Sequence, residues 1–314
     1  MFPLLTPHSE AALAGIVALL VVATLGVVAI NRLAPANGLD ELAPRLRSWW
    51  VMVATFSVAV AFSRMLSLVF LAAISFLALR EYLSLVPTRR VDRPLLLWAY
   101  LAIPLQYAWI ALGRYDLVFV SVPLYVLVVF SVGMIVAGET RGFVRAAGTL
   151  SWGVLITVFA LGHMGLLAAL PDAGNPAGGA AGLLIYLVFL AQFGDVVQYV
   201  VGKTLGRRRL LPRVSPNKTW EGLIGGFATT VILAAALAPW LTPLDRLEGA
   251  VAGVLIALAG CAGDATLSAV KRDLGVKDSS TLLPGHGGVL DRVDSLVFAA
   301  PLFFHFVYQL HYRV

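Results

Sequence analysis

Nine runs of 18 to 24 mostly apolar residues dominate this chain, at 11–30, 65–85, 95–112, 116–136, 147–170, 182–201, 221–240, 248–270 and 289–310. A helix crosses a hydrocarbon core about 30 Å thick in roughly 17 to 25 residues, so each run is long enough to span a bilayer. The bilayer core offers no water, and a spanning segment must satisfy its own backbone polar groups. The runs lack the ten-residue alternation of barrel strands, which leaves helices. Charged residues make up 13% of the chain and the mean hydropathy is +0.88, whereas soluble domains carry roughly 25% charge. The sequence therefore predicts an all-α fold, a polytopic membrane helical bundle with nine or ten transmembrane helices. The stretch 49–62 is short for a span and reads as a tenth helix or a re-entrant piece.

With ten crossings, the loops 31–48, 86–94, 137–146, 202–220 and 271–288 fall on one side and hold 17 of the 23 Lys and Arg residues. Excess positive charge marks the cytoplasmic side, which puts both termini outside. Nine crossings would invert the N-terminal part but leave the two large basic loops, 202–220 and 271–288, in the cytoplasm. No Lys or Arg precedes Arg32, so the first apolar run lacks the basic lead of a cleavable signal and is expected to stay as a helix. The single cysteine, Cys261, excludes an internal disulfide and a cysteine-based metal site. The basic residues sit beside the spans as topology determinants. They suit anionic headgroups of membrane lipids as partners, and no nucleic acid is expected.

Two regions differ in character. Residues 1–180 read as N-terminal scaffold helices, with Pro104 and Pro123 kinking rather than breaking their helices. Residues 181–314 read as the catalytic region, because polar residues there enter both helices and loops. No internal repeat supports an inverted-repeat transporter.

Ionisable residues at membrane depth mark function by default. Asp291 and Asp294 are three apart at the start of the last apolar run, about one helical turn. With Asp264 from the preceding helix they form a candidate carboxylate cluster for a hard divalent cation. The opposing reading pairs these acids with Lys271, Arg272 and Arg292. Gly285–Gly288 precedes the last helix, where glycines allow close approach and N–H groups favour an anion such as phosphate. His286 is the one histidine in this polar setting; His163 and His305 lie in apolar helices and read as packing residues. In Ser215–Gly222, Ser215, Lys218 and Thr219 converge with Glu221 at a helix start, which fits either phosphate contact or helix capping. The triplet Gly202-Lys203-Thr204 lacks the upstream glycine of a P-loop, since Val197 stands in its place. Asp195 lies within a predicted span and points to an inward role or to structural polar pairing.

Three linked segments are diagnostic as a set. They are Ser268-x-Val270-Lys271-Arg272, then Lys277-Asp278-x-Ser280, then Leu283-Pro284-x-His286-Gly287-Gly288-Val289-x-Asp291-Arg292-Val293-Asp294. Together they resemble the signature of phosphatidate cytidylyltransferases, also called CDP-diacylglycerol synthases. Ser215-Pro-Asn-Lys218-Thr219-Trp-Glu221-Gly222 resembles that family's second motif. The likeness runs from about Asp195 to Asp294. It departs at Asp195-Val-Val-Gln198-Tyr199, where many members show Asp-Thr-x-Ala-Tyr, a difference that marks a branch and bears on the lipid acceptor.

The resemblance implies a multi-pass enzyme of a bacterial inner membrane, its active site facing the cytoplasm. Such an enzyme joins CTP to phosphatidic acid and releases CDP-diacylglycerol and pyrophosphate. By the same analogy Asp264, Asp291 and Asp294 would hold Mg2+, with room for a second, monovalent cation. Lys271 and Arg272 would serve catalysis. Asp195, Ser215, Lys218, Thr219, Glu221, Lys277, Asp278, His286, Gly287, Gly288 and Arg292 would contact substrate, and the chain could pair as a homodimer. The nearest rival is cytidylyl transfer to another lipid phosphate, isoprenoid or ether lipid. A non-enzymatic lipid transporter would need charge at both faces of a path, whereas the charge here gathers on one side.

Overall fold

The computed structural model describes residues 5–33, 42–283, 285 and 287–313. Ten long helical segments fill the described chain. The first five are α1 (Pro7–Leu33), α2 (Leu42–Phe62), α3 (Arg64–Leu85), α4 (Leu95–Ala111) and α5 (Tyr115–Val136). The sixth joins α6 (Phe143–Val154) and α7 (Leu161–Ala169) through a π-helical stretch at Leu155–Ala160. Then follow α8 (Gly179–Leu205), α9 (Trp220–Leu241) and α10 (Arg246–Asp273), and the last segment joins α11 (Leu290–Val293) to α12 (Leu296–Val307). Among the described residues nine of the segments are long and apolar enough to cross a membrane, matching the nine runs read from the sequence. The 49–62 stretch is part of α2, a tenth helix whose 21 residues are about 31 Å long; it is not one of the nine segments apolar enough to count as a span.

Local rules explain several ends. Ser63 caps α3 by accepting from the Leu66 N–H at 3.0 Å, which lets α3 start with only that residue between it and α2. Asp245 and Glu248 form a reciprocal capping box at the start of α10. Pro104 and Pro123 sit inside unbroken α4 and α5, as expected. The π stretch is served by Gln106 of α4, whose amide donates to the carbonyls of Val158 and Phe159 at 3.3 and 3.2 Å.

The core lies where α3, α4, α5 and α7 meet α8 and α12, around Tyr186, Phe130, Phe303 and Phe304. His163 belongs to this core: its Nδ1 lies 2.9 Å from the Phe159 carbonyl, and its ring packs on Phe119, Phe159, Phe304 and His305. Helices α8, α9 and α10 form the tightest group. Ala234 and Ala238 of α9 face Gly249 and Gly253 of α10, and such small residues let membrane helices approach closely. Large apolar side chains such as Leu25, Val58, Leu127, Ile135 and Ile232 face outward, as a lipid-facing wall requires.

The only strands among the described residues, β1 (Arg209–Leu211) and β2 (Ser215–Thr219), form an antiparallel hairpin between α8 and α9. The loop from α10 to α11 lies at the same end of the bundle, because the Arg272 Nε donates to the Val214 carbonyl at 3.2 Å. The two polar segments therefore meet, although α9 and most of α10 separate them in sequence.

Candidate active site

Two groups of charged side chains occupy this end. The first gathers Asp195 from α8, Lys218 from the hairpin, Asp264 from α10 and Asp294 after α11. Lys218 pairs directly with Asp264, both largely withdrawn from solvent at 14% and 22% exposure. Burial pulls the Lys218 ammonium down, but the adjoining Asp264 carboxylate outweighs it, and its pKa ends above the ordinary 10.5. Asp294 lies close enough to Asp264 and Asp195 to feel both charges, and Lys271 and Arg292 offset part of the repulsion. Ser268 donates to Asp264 at 3.0 Å. Beside these acids the Nε of Arg292, the amide nitrogen of Gln198 and the hydroxyl of Ser295 are buried without a hydrogen-bond partner among the described residues. A narrow cleft lined by Asp195, Gln198, Thr230 and Cys261 runs from this group between α8, α9 and α10.

The second group is built on Asp291. Its Oδ1 accepts from Lys271 Nζ at 2.6 Å, and its Oδ2 accepts from the N–H groups of Ser279 and Gly288 at 2.7 and 2.9 Å. Both Lys271 and Asp291 are withdrawn from solvent, at 12% and 5% exposure. The spacing of Asp291 and Asp294 had suggested one shared carboxylate face, but the two acids serve different neighbours. Asp291 faces the 279–288 loop, and Asp294 faces α8 and α10. The acid that joins Asp264 and Asp294 is Asp195. Among the described residues no three acidic, histidine or cysteine side chains converge closely enough to hold a metal ion outright.

The Gly-rich turn is shaped by the same contacts. Gly287 has φ +77°, a conformation few side-chain-bearing residues adopt, and a Cβ at Gly288 would collide with Ser279 Oγ and the Glu81 carboxylate. The N–H groups expected to meet a phosphate are turned inward: Gly288 donates to Asp291, and Val289 and Leu290 donate to Glu81 at 2.9 and 2.8 Å. Pro284 and His286 lie outside the described residues.

In the hairpin the capping alternative holds for Thr219, whose hydroxyl accepts from the Gly222 N–H at 3.1 Å and caps α9. Glu221 accepts from the N–H groups of Arg207 and Arg208 at 3.0 and 3.2 Å and so pins the hairpin to α9. Those three residues, with Trp220 and Ile224, line an open cavity of about 550 Å³. Ser215 begins β2, while Lys277 and Asp278 are exposed beside the turn. Arg272 ties the loop to the hairpin rather than pairing with an acid.

Sequence reading passed over Glu81. This buried residue of α3 accepts from four groups of the 279–290 segment, and its signal was present as an acid inside the apolar run 65–85.

Carboxylates, lysines and unsatisfied donors gathered at one end of a membrane bundle have the chemistry that phosphate-bearing ligands require. A model of the cytidylyltransferase family matches residues 43–310, and the chain belongs to that family. It is thus a multi-pass membrane enzyme, a nucleotidyltransferase that uses CTP. The chain is 43% identical to the uncharacterized protein YnbB of Escherichia coli, over 95% of this chain and 98% of that one. It is 42% identical to the phosphatidate cytidylyltransferase of Synechocystis over 47% of this chain, and 43% identical to that of Haemophilus influenzae over 40%. The chain spans about half the length of these two relatives, 52% and 46%.

Proposed function

We propose that the chain transfers a cytidylyl group from CTP to phosphatidic acid, giving CDP-diacylglycerol and pyrophosphate. The observation that carries this reading is the meeting of Asp195, Lys218, Asp264, Asp294 and Arg292 at one end of the bundle, in a chain of the cytidylyltransferase family. Phosphatidate cytidylyltransferases among its relatives supply the acceptor.

The lipid phosphate is already a nucleophile near neutral pH, so no general base is needed. One of its oxygens attacks the α-phosphorus of CTP, the bond from that phosphorus to the bridging oxygen breaks, and pyrophosphate leaves with the electron pair. The protein's task is to align two polyanions and offset their charge. Lys218 remains charged and lies beside Asp264, from which it can turn toward phosphate. Arg292 Nε and the Gln198 amide supply donors that lack an acceptor. The Lys271–Asp291 pair fixes the loop that carries Lys277.

The donor set fits Mg2+: Asp195, Asp264 and Asp294 offer hard oxygens, and their mutual repulsion is only partly offset by Lys218 and Arg292. Asp264 and Asp294 would hold the ion together with water and substrate phosphates, whereas both oxygens of Asp291 are engaged by protein donors. When bound, Mg2+ polarises the α-phosphate and steadies the leaving pyrophosphate. The excess of positive charge in its loops supports a site on the cytoplasmic side of a bacterial inner membrane.

Membranes holding the protein, given Mg2+, labelled CTP and phosphatidic acid, should incorporate label into lipid, and the Asp294→Asn variant should not. Label that enters only with an isoprenoid or ether-lipid phosphate would move the acceptor and keep the chemistry. No transfer to any lipid phosphate by a folded protein would overturn the reading.

A further inference from the structure

Glu81 is a buried acid of α3 that reaches the polar end of the bundle. Its carboxylate receives four donors from a segment about 200 residues away. Oε1 accepts from Ser280 Oγ at 2.8 Å and the Val289 N–H at 2.9 Å, and Oε2 accepts from Ser279 Oγ and the Leu290 N–H, both at 2.8 Å. Four acceptor sites meeting four donors is the full capacity of a carboxylate. Ser279 Oγ also lies 2.9 Å from Asp291 Oδ2, so its one proton is shared between Glu81 and Asp291. Glu81 and Asp291 together close the 279–290 segment from both sides, and Lys271 is held by the second of them.

We propose that Glu81 is a positioning residue for cytidylyl transfer. It holds the start of α11 and the turn before it, and through Ser279 and Asp291 it sets where Lys271 and the 277–288 loop stand against the Asp264–Asp294 group. It touches no reacting atom, because four protein donors cover its oxygens. A neutral amide at this position would point a donor at donors, so charge and shape are both required. This role rests on the transferase reading for its kinetic readout and on geometry alone for its conformational one.

The test uses Glu81→Gln in the full-length protein, with Cys261→Ala and Val289→Cys as a reporter of the segment, since Val289 is buried in the closed turn. A second reporter, Ala252→Cys in the buried part of α10, reports opening of the whole bundle. Glu81→Gln is expected to lower kcat roughly a hundredfold, the scale of a misplacement of about 1 Å, with KM for CTP changing less than about threefold. Maleimide labelling at position 289 should quicken about tenfold, with labelling at 252 unchanged. Equal quickening at both positions means that Glu81 only stabilises the fold, and overturns the proposal, as does wild-type labelling at 289. If Glu81→Gln fails to accumulate, Ser280→Ala removes one of the four bonds; labelling at 289 should then rise about threefold, and no rise overturns the proposal. If the parent protein transfers nothing from CTP, the transferase reading fails while the labelling comparison still decides the clamp.

Discussion

Asp291 and Asp294 are three residues apart, yet their asparagine variants should move stability in opposite directions. Asp291→Asn breaks a buried ion pair and leaves Lys271, at 12% exposure, without the carboxylate it is bonded to. Losing one partner of such a pair costs about 3–5 kcal/mol. A domain of this general size shifts its melting temperature by about 2–4 °C per kcal/mol, so even the lower cost lowers it by at least about 6 °C. Burial and the carboxylates of Asp264 and Asp195 oppose a charge at position 294, so a neutral asparagine there should hold or raise the melting temperature. Both variants should lose activity by about a hundredfold or more, the first because the loop shifts and the second because a phosphate- and cation-facing charge is gone. The double variant Lys271→Met, Asp291→Asn should recover most of the lost stability without recovering activity. Thermal unfolding of the purified variants in detergent, followed by fluorescence beside the transfer assay, measures both quantities. The reasoning is refuted if Asp291→Asn melts within about 2 °C of the parent, or if Asp294→Asn falls as far as Asp291→Asn.

Other outcomes follow from the same geometry. Gly288→Ala places a methyl group against Ser279 and Glu81 and should lower kcat by about tenfold or more in the transfer assay, while the protein still accumulates in membranes. The pKa of Lys218 is raised in the folded protein, so its contribution to stability is complete below the unfolded value and is lost only as pH climbs through the folded one, above 10.5. Melting curves across pH should therefore show a Lys218-dependent loss on the alkaline side alone, and Lys218→Met should flatten it. Arg89 joins Asp92 to the carbonyls of Glu139 and Arg141, which ties the loop before α4 to the loop before α6. Arg89→Ala should speed protease cleavage in those loops and leave kcat unchanged.

The helices were readable because a run of some 20 apolar residues has few alternatives in any context, and α2 fell short only because Arg45 and Arg47 interrupt its first turns. The polar residues of the site were readable for the same reason in reverse, since charge stands out in an apolar chain. Their partners were not. Spacing puts Asp291 and Asp294 about a turn apart, but it does not say that Ser279, Gly288 and Lys271 consume one carboxylate while Asp195 approaches the other. Thr219 and Glu221 carry the residue types of a phosphate site, and only their bonds to Gly222, Arg207 and Arg208 show them holding backbone. Glu81 went unread because its donors lie about 200 residues downstream, a distance over which local pattern carries no information.

That span has a consequence for how the protein is made. Helix α3 leaves the ribosome long before residues 279–290 exist, so during synthesis a carboxylate sits at the edge of a half-built bundle with none of its four donors in place. Unpartnered buried acids are costly, so α3 cannot settle into its final packing on its own. Its carboxylate is satisfied only when the last helix arrives and closes the turn. The N-terminal helices and the polar end are thus completed in one assembly step, and a chain cut short before α11 would keep a buried carboxylate without these four bonds.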